Sequence, residues 1–249
     1  MITSPDNPRV KEVLRLRKAR ERRRSGLFVA EGRREVERAL AAGLAARDVY
    51  VAPELLPDWA HGGQEVSAQV LARMSYRAEP EGVLAVVEIP QRELPSDASL
   101  LLVAVGIEKP GNLGAMARTA DAAGADAFLV SGTGADPWNP NAIRASTGAV
   151  FTLPIVEVTR DQVQSLSQQK VAAVLGAGRA HTDADLVRDT AFVVGAEDVG
   201  LDAVWRAIAD IEVEIPMSGA TADSLNASAA AAVLLFEARR QRDAHSRRR

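Results

Sequence analysis

The stretch Leu100-Leu101-Leu102-Val103-Ala104-Val105 leads directly into Gly106-Ile107-Glu108-Lys109-Pro110-Gly111-Asn112-Leu113-Gly114-Ala115-Met116-Ala117-Arg118. An unbroken apolar run without alternation describes a strand covered on both faces. Pro110-Gly111 then makes a turn, Asn112 is well placed to cap a helix, and Arg118 falls one and a half turns into that helix. Working outward, Ala127-Phe128-Leu129-Val130, Val171-Ala172-Ala173-Val174-Leu175 and Phe192-Val193-Val194 repeat the apolar texture, with helical stretches between them. The fold class is therefore α/β: residues 99–249 predict a mostly parallel sheet with helices on both faces.

Upstream, residues 90–98 are polar and hold two prolines, the composition of a linker. Before it lies a smaller alternating α/β unit. Residues 9–24 carry nine basic side chains with Val10, Val13, Leu14 and Leu16 between them, predicting one basic helix. Strands follow at Leu27-Phe28-Val29-Ala30, Val49-Tyr50-Val51 and Leu84-Ala85-Val86-Val87, with helices after Glu31-Gly32 and from Val66 to Met74. The domain reading is 1–93 and 98–249.

Charge is polarised beneath a net value of −3. Residues 1–40 hold 12 basic against 6 acidic side chains, residues 237–249 hold 6 against 2, and the body between is strongly acidic. A local basic patch can grip phosphates even on a slightly acidic chain, although a lone charge run is more often a solvated helix face. With no cysteine, disulfides, thiolate metal sites and cysteine nucleophiles are excluded, and three scattered histidines give a metal cluster little support. No apolar run reaches membrane-spanning length and the N-terminus lacks a secretory apolar stretch, so a cytoplasmic location is expected.

In open α/β sheets, ligands bind where loops leave the carboxyl ends of strands. Three such loops stand out. The first runs from Glu108 to Ala120. The second is Val194-Gly195-Ala196-Glu197-Asp198-Val199-Gly200-Leu201, where Gly195 would let a ligand approach the backbone and Glu197 and Asp198 would sit at a helix start. The third is Ile215-Pro216-Met217-Ser218-Gly219-Ala220-Thr221-Ala222-Asp223-Ser224-Leu225-Asn226-Ala227-Ser228, with Asp223 or Ser224 capping the following alanine-rich helix. Read singly, each has a plain structural explanation: a cap, a solvent-facing arginine, carboxylates at a helix start. Conventional nucleotide motifs fail, because no Walker A sequence occurs and Gly132-Thr133-Gly134 is followed by Pro137 where a glycine would be needed.

Taken together, the loops resemble the three motifs of the SpoU (TrmH) family of the SPOUT superfamily. Asn112 to Arg118 resembles its N-x-G-x-x-x-R element, Gly195 to Leu201 its G-x-E-x-x-G-[LM] element, and Ile215 to Ser228 its I-P-M-x-G…S-L-N-x-S element. The segment from Pro137 through Arg144-Ala145-Ser146-Thr147-Gly148-Ala149 resembles the stretch between the first two, and Ala30-Glu31-Gly32 the start of the family's ribosomal-protein-like RNA-binding domain. One departure is an extra residue between Gly219 and Ser224.

The resemblance implies a C-terminal parallel-sheet methyltransferase domain with a trefoil knot, working as a homodimer. It implies 2'-O-ribose methylation of structured RNA, most directly 23S ribosomal RNA, with S-adenosyl-L-methionine as cofactor and no metal. Arg118, Asn112, Glu197, Ser224 and Asn226 would form the catalytic set, with Glu197 holding Arg118. Gly195, Ile215, Met217 and Leu225 would hold the cofactor. Arg15, Arg17, Lys18, Arg22, Arg23 and Arg144 would contact RNA. Arg118 is open between two roles, general base and phosphate clamp. Transfer RNA as substrate, a non-catalytic RNA-binding ribosome-assembly protein and a nicotinamide oxidoreductase are the competing readings, the last disfavoured by the broken glycine pattern.

Overall fold

A computed structural model describes all residues except 220, 222 and 249. The chain forms two compact units, residues 1–91 with 138–152 and residues 92–137 with 153–249.

In the first unit, α1 (Pro8–Arg15) and α2 (Ala19–Ser25) replace the single basic helix expected over 9–24. Leu16 turns into the core, and the break is held by Arg22. Its guanidinium donates to the Leu16 carbonyl at 2.7 Å and the Arg17 carbonyl at 3.0 Å. A cation there satisfies carbonyls that a helix end leaves free. Arg22→Ala is expected to lower the unfolding free energy by about 1–3 kcal/mol through those orphaned acceptors, and an unshifted urea midpoint would refute it.

Gly26, at φ 68°, ends α2 and starts β1 (Leu27–Glu31). There follow α3 (Arg33–Ala41), β2 (Ala46–Val51), β3 (Gln64–Glu65), α4 (Ala68–Met74) and β4 (Val83–Glu88). The sheet order is β1-β4-β2-β3, antiparallel except for the short β2–β3 pair. Val10, Val13 and Leu16 pack with Leu71, Met74 and Val86 in the core.

Residues 138–152, which lie in sequence within the expected 98–249 domain, pack in space with the first unit. Aromatic packing is the cause. The Phe28 ring lies 4.9 Å from Trp138 and 5.9 Å from Phe151, centroid to centroid.

The second unit opens with β5 (Leu100–Val105), buried along its whole length as its unbroken apolar run requires. It continues with α5 (Pro110–Ala123) and β6 (Ala127–Ser131). The inserted α6 (Pro140–Ser146) and α7 (Ala149–Thr152) belong to the first unit. Then come β7 (Ile155–Val158), α8 (Arg160–Gln164), β8 (Gln169–Ala173), β9 (Thr190–Val194), α9 (Ala203–Arg206), β10 (Ile211–Val213) and α10 (Ala227–Ser246). The sheet order is β10-β8-β9-β5-β6-β7 and every pairing is parallel. The chain runs outward from β5 through β6 to β7, while the later strands fill the other side. The order therefore reverses between β5 and β9, the place where such sheets bind ligands.

α10 buries Ala227, Ala231, Leu234, Leu235 and Ala238, and packs on α5 and β9. Among the described residues no helix is long and apolar enough to cross a membrane, and no group of histidine and carboxylate side chains could hold a metal.

Candidate functional site

The first and second loops leave adjacent strands, β5 and β9, and the third leaves β10. Lys109, not Asn112, is the N-cap of α5. Asn112 lies inside the first turn, which frees its side chain to reach another loop. Its Nδ2 donates to Glu197 Oε1 at 2.8 Å, across 85 residues of sequence. Asn226 Nδ2 donates to the same oxygen, and to Asn112 Oδ1 at 3.2 Å. Lys109 Nζ donates to the other carboxylate oxygen, Oε2, at 2.7 Å. One carboxylate thus ties all three loops together.

Glu197 does not start a helix. It lies in a tight turn closed by a bridge between Ala196 and Gly200, with Gly200 N donating to Ala196 O at 2.9 Å. The turn explains Gly195 better than ligand approach does. A Cβ on Gly195 would lie 2.4 Å from the Gly200 carbonyl carbon and oxygen. The backbone that comes close is the loop's own.

Nor does Asp223 or Ser224 cap α10. Asn226 does, its Oδ1 accepting from Ser228 N at 3.0 Å while its amide nitrogen serves Glu197. The extra residue expected between Gly219 and Ser224 involves positions 220 and 222, which lie outside the described residues.

The Glu197 carboxyl is held below the ordinary carboxylate range. The Lys109 ammonium is the main cause, helped by the Asn112 amide and the Ala227 backbone N–H, and opposed by desolvation. A depressed carboxyl stabilises the fold above its unfolded pKa, and that contribution is lost as pH falls through the folded value. Acidification below the usual glutamate range should therefore loosen the three-loop junction. Lys109→Met is expected to move the Glu197 titration upward, measurable by carbon-detected NMR. A titration that stays put would remove Lys109 from this role.

Beside the junction lies a cleft of about 300 Å³ over the carboxyl ends of β8, β9 and β10. Gly195, Ile215, Met217, Leu225 and Ser224 all line it. So do three large apolar side chains left open to solvent, Leu175, Val199 and Met217. Glu197, Asp198 and Glu214 bring carboxylates to the same walls. Apolar surface rimmed by carboxylates suits a flat aromatic ligand that carries a positive charge.

Arg118 is exposed on α5, and among the described residues it makes no hydrogen bond or ion pair. Glu197 does not hold it, because both carboxylate oxygens are taken by Lys109, Asn112 and Asn226. Lys109, Leu175, Val199 and Glu214 were not picked out from the sequence. A lone lysine before a proline carries no local signal, Leu175 and Glu214 are ordinary strand-end residues, and Val199 is one apolar residue in a turn.

Of the residues expected to contact RNA from the first unit, Arg15, Arg17, Lys18 and Arg23 are exposed. Arg22 is only 1% exposed and cannot meet RNA, since its guanidinium is spent on helix-end carbonyls. Arg17 donates to the carbonyls of Arg73 and Ser75, tying α1 to the end of α4. Arg144 is exposed on α6, its guanidinium 2.9 Å from Asn141 Oδ1.

The sequence profile of the SpoU rRNA methylase family matches residues 99–236, and that of the MRM3-like substrate binding domain matches residues 7–85. A 23S rRNA uridine 2'-O-methyltransferase of Streptomyces viridochromogenes is 34% identical over 89% of this chain and 85% of its own. A 23S rRNA guanosine 2'-O-methyltransferase of Bacillus subtilis is 29% identical over 96% of this chain and 98% of its own. A crystal structure of an RNA 2'-O ribose methyltransferase superposes with TM-score 0.82 at 43% identity, covering 97% of this chain and 98% of that one. The SpoU methyltransferase AviRb of S. viridochromogenes in complex with AdoMet gives TM-score 0.83 at 29% identity, over 95% and 98% of the two chains. With the three motif loops joined at one carboxylate and a family profile spanning more than half its length, this chain belongs to the SpoU rRNA methylase family.

Proposed function

We propose that this protein methylates a ribose 2'-hydroxyl of 23S ribosomal RNA, using S-adenosyl-L-methionine. The observation that carries this reading is the junction of Asn112, Glu197 and Asn226 at the edge of the apolar cleft. A binding module has no need of such a junction. Ribosomal rather than transfer RNA is favoured by extent of similarity. Two 23S rRNA enzymes, of S. viridochromogenes and B. subtilis, align over 89% and 96% of the chain, whereas a tRNA-modifying enzyme of A. aeolicus covers 60% of it at TM-score 0.53.

When bound, S-adenosyl-L-methionine supplies an electrophilic methyl group on a sulfonium centre. The cleft fits it: exposed Leu175, Val199 and Met217 would cover the adenine, and the wall carboxylates complement the positive charge. Backbone groups at Gly195, Ile215, Met217 and Leu225 would fix its orientation. Glu197 keeps the three loops in register, and in-line displacement depends on that alignment. Ser224, on the cleft wall, would complete the polar set.

Guanidinium groups do not give up their proton in proteins. Arg118 therefore serves as a clamp that orients the 2'-oxygen or its neighbouring phosphate. The first unit supplies RNA affinity through Arg15, Lys18, Arg23 and Arg144, with a steep salt dependence. The homodimer, the trefoil knot and a cytoplasmic location are part of the same proposal, as the family resemblance implies. Incubation with isotopically labelled cofactor and unmodified 23S rRNA, followed by mapping, should find label on one ribose. Label appearing only on transfer RNA, or on no RNA, would sink the reading.

A further inference from the structure

A group of buried charges in the first unit has no part in methyl transfer. Glu31 and Glu35 are 6% and 2% exposed. Burying two carboxylates is costly unless each is paired. Both are paired, and all their bonds but those from Arg34 lead to one turn. The Glu31 carboxylate accepts the backbone N–H of Tyr76 at 2.8 Å and of Arg77 at 3.2 Å. Glu35 accepts from Arg77 at 3.2 Å and from Arg34 at 2.6 Å. Arg77 also donates to the Glu31 carbonyl and pairs with Glu81. Gly32, at φ 97°, leaves room for this network, because a Cβ there would lie 2.7 Å from Glu81 Oε2 and 3.1 Å from the Arg77 guanidinium. This is the physical content of Ala30-Glu31-Gly32.

The turn so fixed presents an aromatic ring to solvent. Tyr76 is 44% exposed, one of the few large apolar side chains left open in this unit. It lines a small depression of about 10 Å³ together with Glu31, Glu35, Arg77, Ile143 and Arg144. Glu31 and Glu35 are buried and already paired, while Arg34 and Arg144 are exposed. Glu79 and Glu81 are exposed as well, Glu81 paired with Arg77. Arg144 has no ion-pair partner among the described residues. A rigid aromatic face beside exposed guanidiniums meets the two demands of an unpaired nucleotide, a stacking partner for the base and a cation for the phosphate.

We propose that Tyr76 and Arg144 form a binding site for one single-stranded nucleotide, with the base on the Tyr76 ring and its phosphate at Arg144. The site rests on the reading of this chain as an RNA-binding enzyme and adds to it a requirement for unpaired RNA. Stacking of this kind tolerates any base, since each has a π face.

The test uses the full chain and fluorescein-labelled single-stranded oligouridylate and oligoadenylate, with an RNA duplex as comparison. Tyr76→Ala should weaken single-strand binding about tenfold, and Tyr76→Phe should restore it. Arg144→Gln should reduce the slope of log affinity against log salt by about 1. Duplex binding should be unchanged in Tyr76→Ala. Matched thermal midpoints for the two Tyr76 variants would separate lost stacking from misfolding. Wild-type affinity in Tyr76→Ala, or an equal loss for duplex, overturns the site. Methyl transfer is read separately: a chain that binds as expected but methylates no RNA keeps the site and loses the enzymatic reading.

Discussion

Arg118→Ala is expected to lower methyl transfer by about a thousandfold, the loss typical of removing a group that acts only on the reacting atoms. Its cofactor affinity should stay that of the wild-type chain. The expectation follows from position. Arg118 projects from α5 into solvent, and among the described residues it has no hydrogen-bond or ion-pair partner. It is not among the residues that line the apolar cleft. Removing this exposed side chain therefore breaks no hydrogen bond or ion pair among the described residues, so neither the thermal midpoint nor calorimetric binding of S-adenosyl-L-methionine should move. Arg118→Lys keeps the charge but loses the planar fork, and should recover only part of the rate. Wild-type turnover in Arg118→Ala would take the residue out of the mechanism. A parallel loss of cofactor binding would instead make it part of the cleft.

The second large effect is expected at Gly195. A methyl group there would lie 2.4 Å from the Gly200 carbonyl carbon and oxygen and 2.7 Å from Leu201 N. These are backbone atoms, which cannot swing aside as a side-chain tip can. Gly195→Ala must push the 196–200 turn outward, at a cost of about 1–3 kcal/mol for overpacking. Glu197 rides on that turn, so its bonds to Asn112, Asn226 and Lys109 are disturbed together. The cleft wall moves with them. Cofactor affinity should fall at least about tenfold, corresponding to about 1.4 kcal/mol. Gly200→Ala is the control. Gly200 sits at φ 63° but has open space around a Cβ, so the substitution meets left-handed strain without a clash. It should cost about 1 kcal/mol and affect cofactor binding less. Equal affinities for Gly195→Ala and the wild-type chain, by calorimetry, would show that the turn can yield and would dissolve the link between Gly195 and the cleft.

Much of the architecture was legible in local pattern. The apolar runs at 100–105 and 191–194 read as strands covered on both faces, and they pair side by side in the parallel sheet. β3 and β7 escaped because they are short and only partly buried, and β7, the sequence Ile155-Val156-Glu157-Val158, has no run to mark it. The basic stretch at 9–24 read as one helix because periodicity does not register a side chain that folds back, as Arg22 does, to end one helix and hold the next. The packing of residues 138–152 with the first unit was hidden for a similar reason. What draws them to the first unit is the contact of Trp138 and Phe151 with Phe28, more than a hundred positions away.

The site divides along the same line. The residue types in the three loops announced their chemistry in the sequence, since amides, a carboxylate, glycines and an arginine are local facts. Which of them meet was decided by strand order. β5 lies next to β9, so Asn112 reaches Glu197 across 85 residues, and α10 begins where Asn226 can reach both. Lys109 became the partner of Glu197, and Arg118 was left without a hydrogen-bond or ion-pair partner among the described residues, only once those strands were paired. Hydrogen bonds act over about 3 Å whatever the separation along the chain; composition and spacing specify the donors and acceptors, and only the folded sheet specifies who stands within that distance.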